Sequence, residues 1–462
     1  GLTRARHGAP DRRPVGWGMM SSAPQRDGYR TFIASSLLLM FSYGVAVGMF
    51  HIFPYAFIRS ALQGLGQLNG GNFIVYYHPV RNPNWKPIFN SPDACDGLNL
   101  VTRIGDDDRL VAEILDMEGR PLQRWDVDWF ERWDDAEHLP SEVKPRSRPG
   151  CQIHGAVVAS NGDLVFNYDY LGLMRLDRNG AMKWRLPYQT HHSVHLSDDG
   201  RLWVCGQERV FEDEKAHPHR TAPYDASTIL EVSPNGEILT KWSVEGLLRK
   251  NGYAGLLGLS HGFTNGYARQ DILHLNDVET FPTTMAEGFF KKGDILVSLR
   301  NISTIFVFER ETGKIKYLTT GRMVWQHDPD FIDGNRIAVF DNKGGGVLAG
   351  DAPASRLLVF TPGESEPEIR FTGAPGHPFY TKIMGKQQWL PNGNVLVTET
   401  DGGRGFEIDG AGRIVWQYVN VVKPDVVGIV QEVTRLPAEM KQLFERPTGV
   451  ARSASPSGSN KG

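Results

Sequence analysis

Ser233-Pro234-Asn235-Gly236-Glu237-Ile238-Leu239-Thr240-Lys241-Trp242 is the stretch from which the fold is read. It is a serine, a short turn containing glycine, and a strand that ends in tryptophan. The phrase recurs with an acidic residue in place of the serine. Asp116-Met117-Glu118-Gly119 runs on to Trp125, Asp177-Arg178-Asn179-Gly180 to Trp184, Glu311-Thr312-Gly313 to Tyr317, and Asp409-Gly410-Ala411-Gly412 to Trp416. A degenerate copy fills the gap between Phe360 and Phe371. A second phrase comes before these: a strand, an Asn-Gly or Asp-Gly turn, and an apolar strand. Asn161-Gly162, Asp199-Gly200, Asp333-Gly334 and Asn392-Gly393 are its turns. Such dipeptides favour two-residue hairpin turns, in which both central residues need positive φ.

Each unit therefore reads as four strands in a meander. Trp125 to Trp416 covers five intervals of about 58 residues, a fixed period. One four-stranded sheet cannot bury both of its faces, and radial stacking of several solves that. The reading predicts an all-β fold, a six-bladed β-propeller over residues 98–440, with an N-terminal transmembrane helix. Residues 59–97 are then a linker and lead-in strand, and 441–462 a partly disordered tail. A pair of β-sandwiches is the competing architecture and fits the fixed period poorly. Either 73–77 or 426–433 is expected to complete the ring. Short helices are expected at 53–66 and 436–445.

Composition sets the outer limits. Of 462 residues, 40% are hydrophobic and 22% charged, which supports a sizeable core and excludes a chain disordered throughout. Lys and Arg number 50 against 53 Asp and Glu, so there is no basic excess, and nucleic acid is excluded as a main partner. Cys95, Cys151 and Cys205 are too few for a disulfide scaffold and lack metal-ligand spacing, though one disulfide and one free thiol remain open. The oligomeric state is not legible.

Residues 1–30 carry Arg4, Arg6, Arg12, Arg13, Arg26 and Arg30 against Asp11 and Asp27, and residues 31–58 carry no Asp, Glu, Lys or Arg. This predicts a transmembrane anchor at 31–58. The positive-inside rule makes 1–30 a cytoplasmic basic tail and puts the remainder in the periplasm or an equivalent extracytoplasmic space. A cleaved signal peptide ending near Ala46-Val47-Gly48 is the alternative, but the apolar run continues past that point.

The repeat phase also selects chemistry. His154, His192 and His327 recur where an inner strand begins, and His274 lies on a comparable stretch, Asp271-Ile272-Leu273-His274-Leu275-Asn276-Asp277. Arg300 is expected on the next strand of the unit that carries His274. Converging imidazoles serve metal binding or nucleophilic and acid–base chemistry. A guanidinium beside them disfavours a bound cation and favours a multi-oxygen anion such as sulfate, phosphate or carboxylate. No metal and no cofactor is therefore expected. Lys343-Gly344-Gly345-Gly346 lacks phosphate-loop spacing, and Asp106-Asp107-Asp108 reads as a solvated turn.

Gln326-His327-Asp328-Pro329-Asp330-Phe331, the run Val339-Phe340-Asp341-Asn342, and the pair His274-Leu275-Asn276-Asp277 and Ser298-Leu299-Arg300-Asn301 resemble the arylsulfotransferase (arylsulfate sulfotransferase) propeller family. So does Trp389-Leu390-Pro391-Asn392-Gly393-Asn394-Val395-Leu396. The resemblance spans roughly residues 98–440. It implies ping-pong sulfuryl transfer, without a nucleotide donor, from an aryl sulfate donor to a phenolic acceptor. His327 then falls on the transiently sulfated histidine, and His274 and Arg300 on the pair that binds the sulfuryl oxygens. A fourth histidine lies in the doublet His191-His192, with His192 preferred by phase. Two other classes compete: a non-catalytic propeller that binds a protein or anionic ligand at its central mouth, and a quinone-cofactor dehydrogenase propeller, for which the cysteine pair and metal-ligand set are missing.

Overall fold

The computed structural model describes residues 23–50, 75–141, 143–212, 223–262, 271–346 and 354–444. The chain divides into two compact units, Gly1–Val75 and Tyr76–Gly462.

In the first unit a helix runs over Ala23–Phe50. Within it Gly28–Val47, 20 residues, is long and apolar enough to cross a membrane, about 30 Å at 1.5 Å per residue. The helix starts eight residues ahead of the uncharged run, so Arg26, Asp27 and Arg30 are helical. Pro24 is accommodated in the first turn, where no backbone donor is needed. The expected continuation of the span to 58 and the expected helix at 53–66 lie outside the described residues.

The second unit is all-β. Its described strands form many antiparallel sheets, most of them built from four strands consecutive in the chain. The second sheet holds Ala156–Val158, Leu164–Tyr168, Gly172–Leu176 and Met182–Leu186. The third holds Thr190–Leu196, Leu202–Val210, Tyr224–Val232 and Ile238–Ser243, and the fourth Leu275–Thr280, Asp294–Leu299, Thr304–Glu309 and Ile315–Thr320. The fifth holds His327–Asp333, Arg336–Asp341, Arg356–Phe360 and Glu368–Phe371. The sixth holds Lys386–Trp389, Val395–Glu399, Arg404–Ile408 and Ile414–Val419, extended by Ile88–Asn90. The first sheet is shared between distant parts of the chain. Leu98–Ile104, Leu110–Leu115 and Pro121–Asp126 are completed by Val430–Leu436, which pairs with Leu98–Ile104 from Leu98 opposite Leu436 to Arg103 opposite Val430. A small three-stranded sheet joins Tyr77–Pro79, Val426–Gly428 and Val421–Lys423.

Of the two segments expected to complete the ring, the later one supplies the fourth strand of the first sheet, beginning at Val430. Tyr77 pairs with Gly428 in the small sheet. The expected terminal helix is a single 3-10 turn, Ala438–Met440, and one α turn, Lys441–Phe444. The three cysteines are all free.

The hairpins correct the turn type. At Asn161-Gly162 only the glycine has positive φ, +86°. Gly162 N–H donates to the carbonyl of Ala159 at 2.8 Å, and Ala159 N–H to that of Asp163 at 2.9 Å. Asp199-Gly200 and Asn392-Gly393 repeat both bonds. This is a three-residue loop with the glycine in the left-handed position, not the two-residue turn expected. Asp333-Gly334 is different: a Cβ on Gly334 would lie 2.5 Å from the Ala286 carbonyl and the Gly288 nitrogen, so this glycine permits close backbone approach.

The first phrase has a direct explanation. Its leading side chain caps its own turn. Asp177 Oδ1 accepts from the N–H groups of Asn179 and Ala181, both at 2.8 Å, and Asp409 Oδ1 from Ala411 and Arg413, both at 2.9 Å. Ser233 Oγ does the same for Asn235 and Glu237. The closing tryptophan then reaches the same turn of the following sheet. Trp125 Nε1 donates to the Asp177 carbonyl and Trp184 Nε1 to the Pro234 carbonyl, both at 2.9 Å. Trp416, in the sixth sheet, donates to the Met117 carbonyl of the first at 3.0 Å.

The apolar cores lie between successive sheets. Val165, Leu173, Val194 and Val204 join the second to the third, and Ile229, Val278 and Val297 the third to the fourth. Leu296, Val307, Phe331 and Val339 join the fourth to the fifth, and Phe340, Leu357, Val397 and Phe406 the fifth to the sixth. A further cluster, with Val101, Leu396, Trp416 and Val433, joins the sixth to the first. The third to sixth sheets thus each pack apolar side chains against both neighbours.

Candidate functional site

The four expected histidines come from the starts of four first strands. His154 stands just before Ala156–Val158, His192 lies in Thr190–Leu196, His274 stands just before Leu275–Thr280, and His327 opens His327–Asp333. The strands are irregular there. Register slips between His191 and Val194, between Leu275 and Asp277, and between His327 and Asp330. His192 (φ +55°) and His274 (φ +54°) are left-handed, as are Trp325 and Asp328 on either side of His327. Such conformations cost about 1–3 kcal/mol each and collect where side chains must be re-aimed.

The re-aimed rings converge. Ring centroids are 4.8 Å apart for His192–His274, 4.9 Å for His154–His192, 5.9 Å for His154–His327 and 6.3 Å for His192–His327. Nε2 of His274 lies 3.2 Å from Nε2 of His192. His274 Nδ1 donates to Asp271 Oδ2 at 2.6 Å, and Asp271 Oδ1 also accepts the His274 backbone N–H at 2.7 Å. Burial alone would raise the Asp271 carboxyl, but the adjacent imidazole outweighs it and holds it at about 2. The partner of His274 is thus Asp271. Of the doublet, His192 meets His274 and His327. His191 stacks on Tyr170 at 4.7 Å and touches His192 through Nδ1, 2.9 Å from its Nδ1.

His327 has one nitrogen fixed. Its Nδ1 is 2.8 Å from Asn342 Oδ1 and 3.1 Å from the Trp325 carbonyl. The Asn342 amide nitrogen donates to the carbonyls of Thr381 and Met384, at 3.1 and 2.8 Å, so Oδ1 must be the acceptor toward the ring. Nδ1 therefore carries the proton, and Nε2 keeps its lone pair. Burial first, then the Arg300 charge, pushes His327 down to about 3. Burial and neighbouring imidazoles also hold His154 and His192 well below the ordinary range. Asp169, half-buried and accepting the His192 N–H, is raised to about 7 by its desolvation.

Arg300 lies in the 3-10 turn Arg300–Ile302 that follows Asp294–Leu299, not on the strand as expected. Its guanidinium sits over the Trp325 ring, 4.8 Å from the centroid, and Nη1 donates to Asn301 Oδ1 at 3.1 Å. Among the described residues no carboxylate pairs with it. Three neutral imidazoles and one uncompensated guanidinium favour a compact anion.

Sequence reasoning missed Asp169 and Tyr170, which lie outside the repeat phase. It quoted Asp271 and Asn342 without giving either a task. It also missed a second polar cluster further along the first strands. Lys386 Nζ lies 3.0 Å from Glu432 Oε2 and 3.8 Å from Asp328 Oδ1. Asp277, buried beside Asp328, is raised to about 8, and Glu279 and Asp330 are raised well above the usual range. Alternating residues of the second phrase's strands would have shown these inward carboxylates.

A family model described as "Arylsulfotransferase (ASST)" matches residues 154–421. No curated protein matches the chain. Solved structures to which the chain is similar include a protein of unknown function from Bacteroides caccae, 16% identical, covering 72% of this chain and 99% of that one, with a TM-score of 0.44. A streptogramin B lyase is 11% identical over 72% of this chain and 87% of its own, with a TM-score of 0.37. A catalytically inactive virginiamycin B lyase from Staphylococcus aureus is 13% identical over 61% and 73%, with a TM-score of 0.34.

Proposed function

The chain belongs to the arylsulfotransferase family, and from that premise we propose that it moves a sulfuryl group from an aryl sulfate to a phenolic acceptor through a sulfohistidine at His327. The observation that carries this reading is the fixed tautomer of His327 beside the unpaired Arg300. In the first half-reaction the Nε2 lone pair attacks sulfur, an N–S bond forms, and the S–O bond to the aryl group breaks. The phenolate leaves with the electron pair and takes a proton. In the second half-reaction the acceptor's phenolic oxygen attacks sulfur as its proton is removed, the N–S bond breaks, and His327 is restored.

Arg300, His274 and His192 bind the sulfuryl oxygens, over which negative charge spreads in the transition state. The proton shared between the facing Nε2 atoms of His192 and His274 goes to the leaving phenolate and returns from the acceptor. Asp271 keeps His274 oriented for this exchange.

The same reading takes the sheets as six blades of a closed propeller, residues 98–440, with the site at one mouth of its channel. The tryptophan contact from the sixth sheet back to the first supports closure. The helix at the N-terminus is taken as the anchor of a single-pass membrane protein, its basic flank cytoplasmic and the propeller periplasmic or otherwise extracytoplasmic.

The test is release of 4-nitrophenol from 4-nitrophenyl sulfate with phenol as acceptor. Wild type should show acceptor-dependent release, and His327→Ala should lose about a thousandfold or more. No release across several donors and acceptors would overturn the transfer and leave an anion-binding propeller.

A further inference from the structure

Three side chains, of which only His192 has a task in the transfer, come together beside it. His154, Asp169 and His192 each present a ligand atom within 4.8 Å of the other two. His154 and His192 are 3% and 5% exposed. The Nδ1 of His154 is buried without a hydrogen-bond partner, an omission that ordinarily costs about 1–3 kcal/mol. Asp169 Oδ1 lies 3.8 Å from Nδ1 of His192, and among the described residues neither lysine nor arginine pairs with Asp169.

Arg300, whose charge was expected to disfavour a cation, bears on His327 and Tyr170. Lys386 does reach His154, but its own charge is matched by Glu432 and Asp328. The carboxylate of Asp169 supplies the negative charge that a cluster of imidazoles alone lacks.

We propose that His154, Asp169 and His192 bind one divalent transition-metal cation, with a further position open to water or to an oxygen of a bound ligand. Two imidazoles and a carboxylate suit zinc or cobalt, whose bonds of about 2.0–2.2 Å need only a modest inward rotation of these side chains. The orphaned His154 nitrogen then gains a partner. The site goes beyond sulfuryl transfer and shares only His192 with it.

The experiment uses the full chain in detergent, without a histidine tag, stripped with EDTA and titrated with Co2+ in the visible range. One equivalent should produce a d–d absorption band, and Zn2+ should displace it. His154→Ala and Asp169→Asn should each weaken Co2+ binding by about tenfold to a hundredfold, while His377→Ala should bind one equivalent as wild type does. Zn2+ should also raise the Tm of wild type more than that of Asp169→Asn at the same concentration, and the variant's own melting transition reports that it is folded. A stripped wild type that takes up no Co2+, or equal affinity in wild type and both variants, would overturn the proposal. Either result is independent of 4-nitrophenol release, so the two readings fail separately.

Discussion

The charge state of His327 is set by what surrounds a single ring. Asn342 cannot turn its amide around, because both protons are engaged by carbonyls. Asn342→Ala frees the ring to take the other tautomer. We expect kcat to fall by about a hundredfold or more with KM little changed, measured as steady-state 4-nitrophenol release. The same surroundings fix the pH response. An ordinary imidazole titrates near 6.5 and would lose its lone pair progressively below that. His327, held at about 3 by burial and by Arg300, stays neutral, so its protonation should not lower kcat/KM between about pH 7 and pH 5. A fall with a midpoint near 6.5, persisting when the protein is shown to be folded, would contradict that assignment.

Among the elements, the fourth strand of each unit carries the most instructive residue. Trp416 is fully buried, packs in the cluster between the sixth and first sheets, and donates to the Met117 carbonyl. Trp416→Ala should cost about 3–5 kcal/mol, read from denaturant unfolding. The equivalent loss at Trp184, which is only partly buried, should be smaller. The spacing of these tryptophans and the capping residues before them made the strands legible from the sequence, since both are local chemistry repeated at a fixed interval. The histidines were legible for the same reason. Asp271 and Asp169 were not, because they act from loops whose course depends on how each strand is kinked. Positive φ at His192 and His274 leaves no trace in a pattern of apolar and polar residues. The hairpin type was misjudged because Asn-Gly suits two loops, and only the bond from Ala159 to Asp163 tells them apart.

At the scale of the whole molecule, first strands from several sheets bring carboxylates together around one lysine. Asp277 has a folded-state pKa of about 8, above its unfolded value near 3.8. A carboxyl raised in this way stabilises the fold fully below the unfolded value, and that contribution is lost as pH climbs through the folded one. Asp277→Asn should therefore gain Tm relative to wild type as pH rises from about 5 to about 9, in a calorimetric series. The first sheet has a different consequence. Leu98 meets Leu436, so nearly the whole intervening chain must be made before that sheet is whole. During synthesis Leu98–Ile104 waits with one edge bare, a template for a neighbouring nascent chain as readily as for its own end. The sheet begun first is finished last, and a ribosome that stops short releases a product whose open edge marks it for aggregation or disposal.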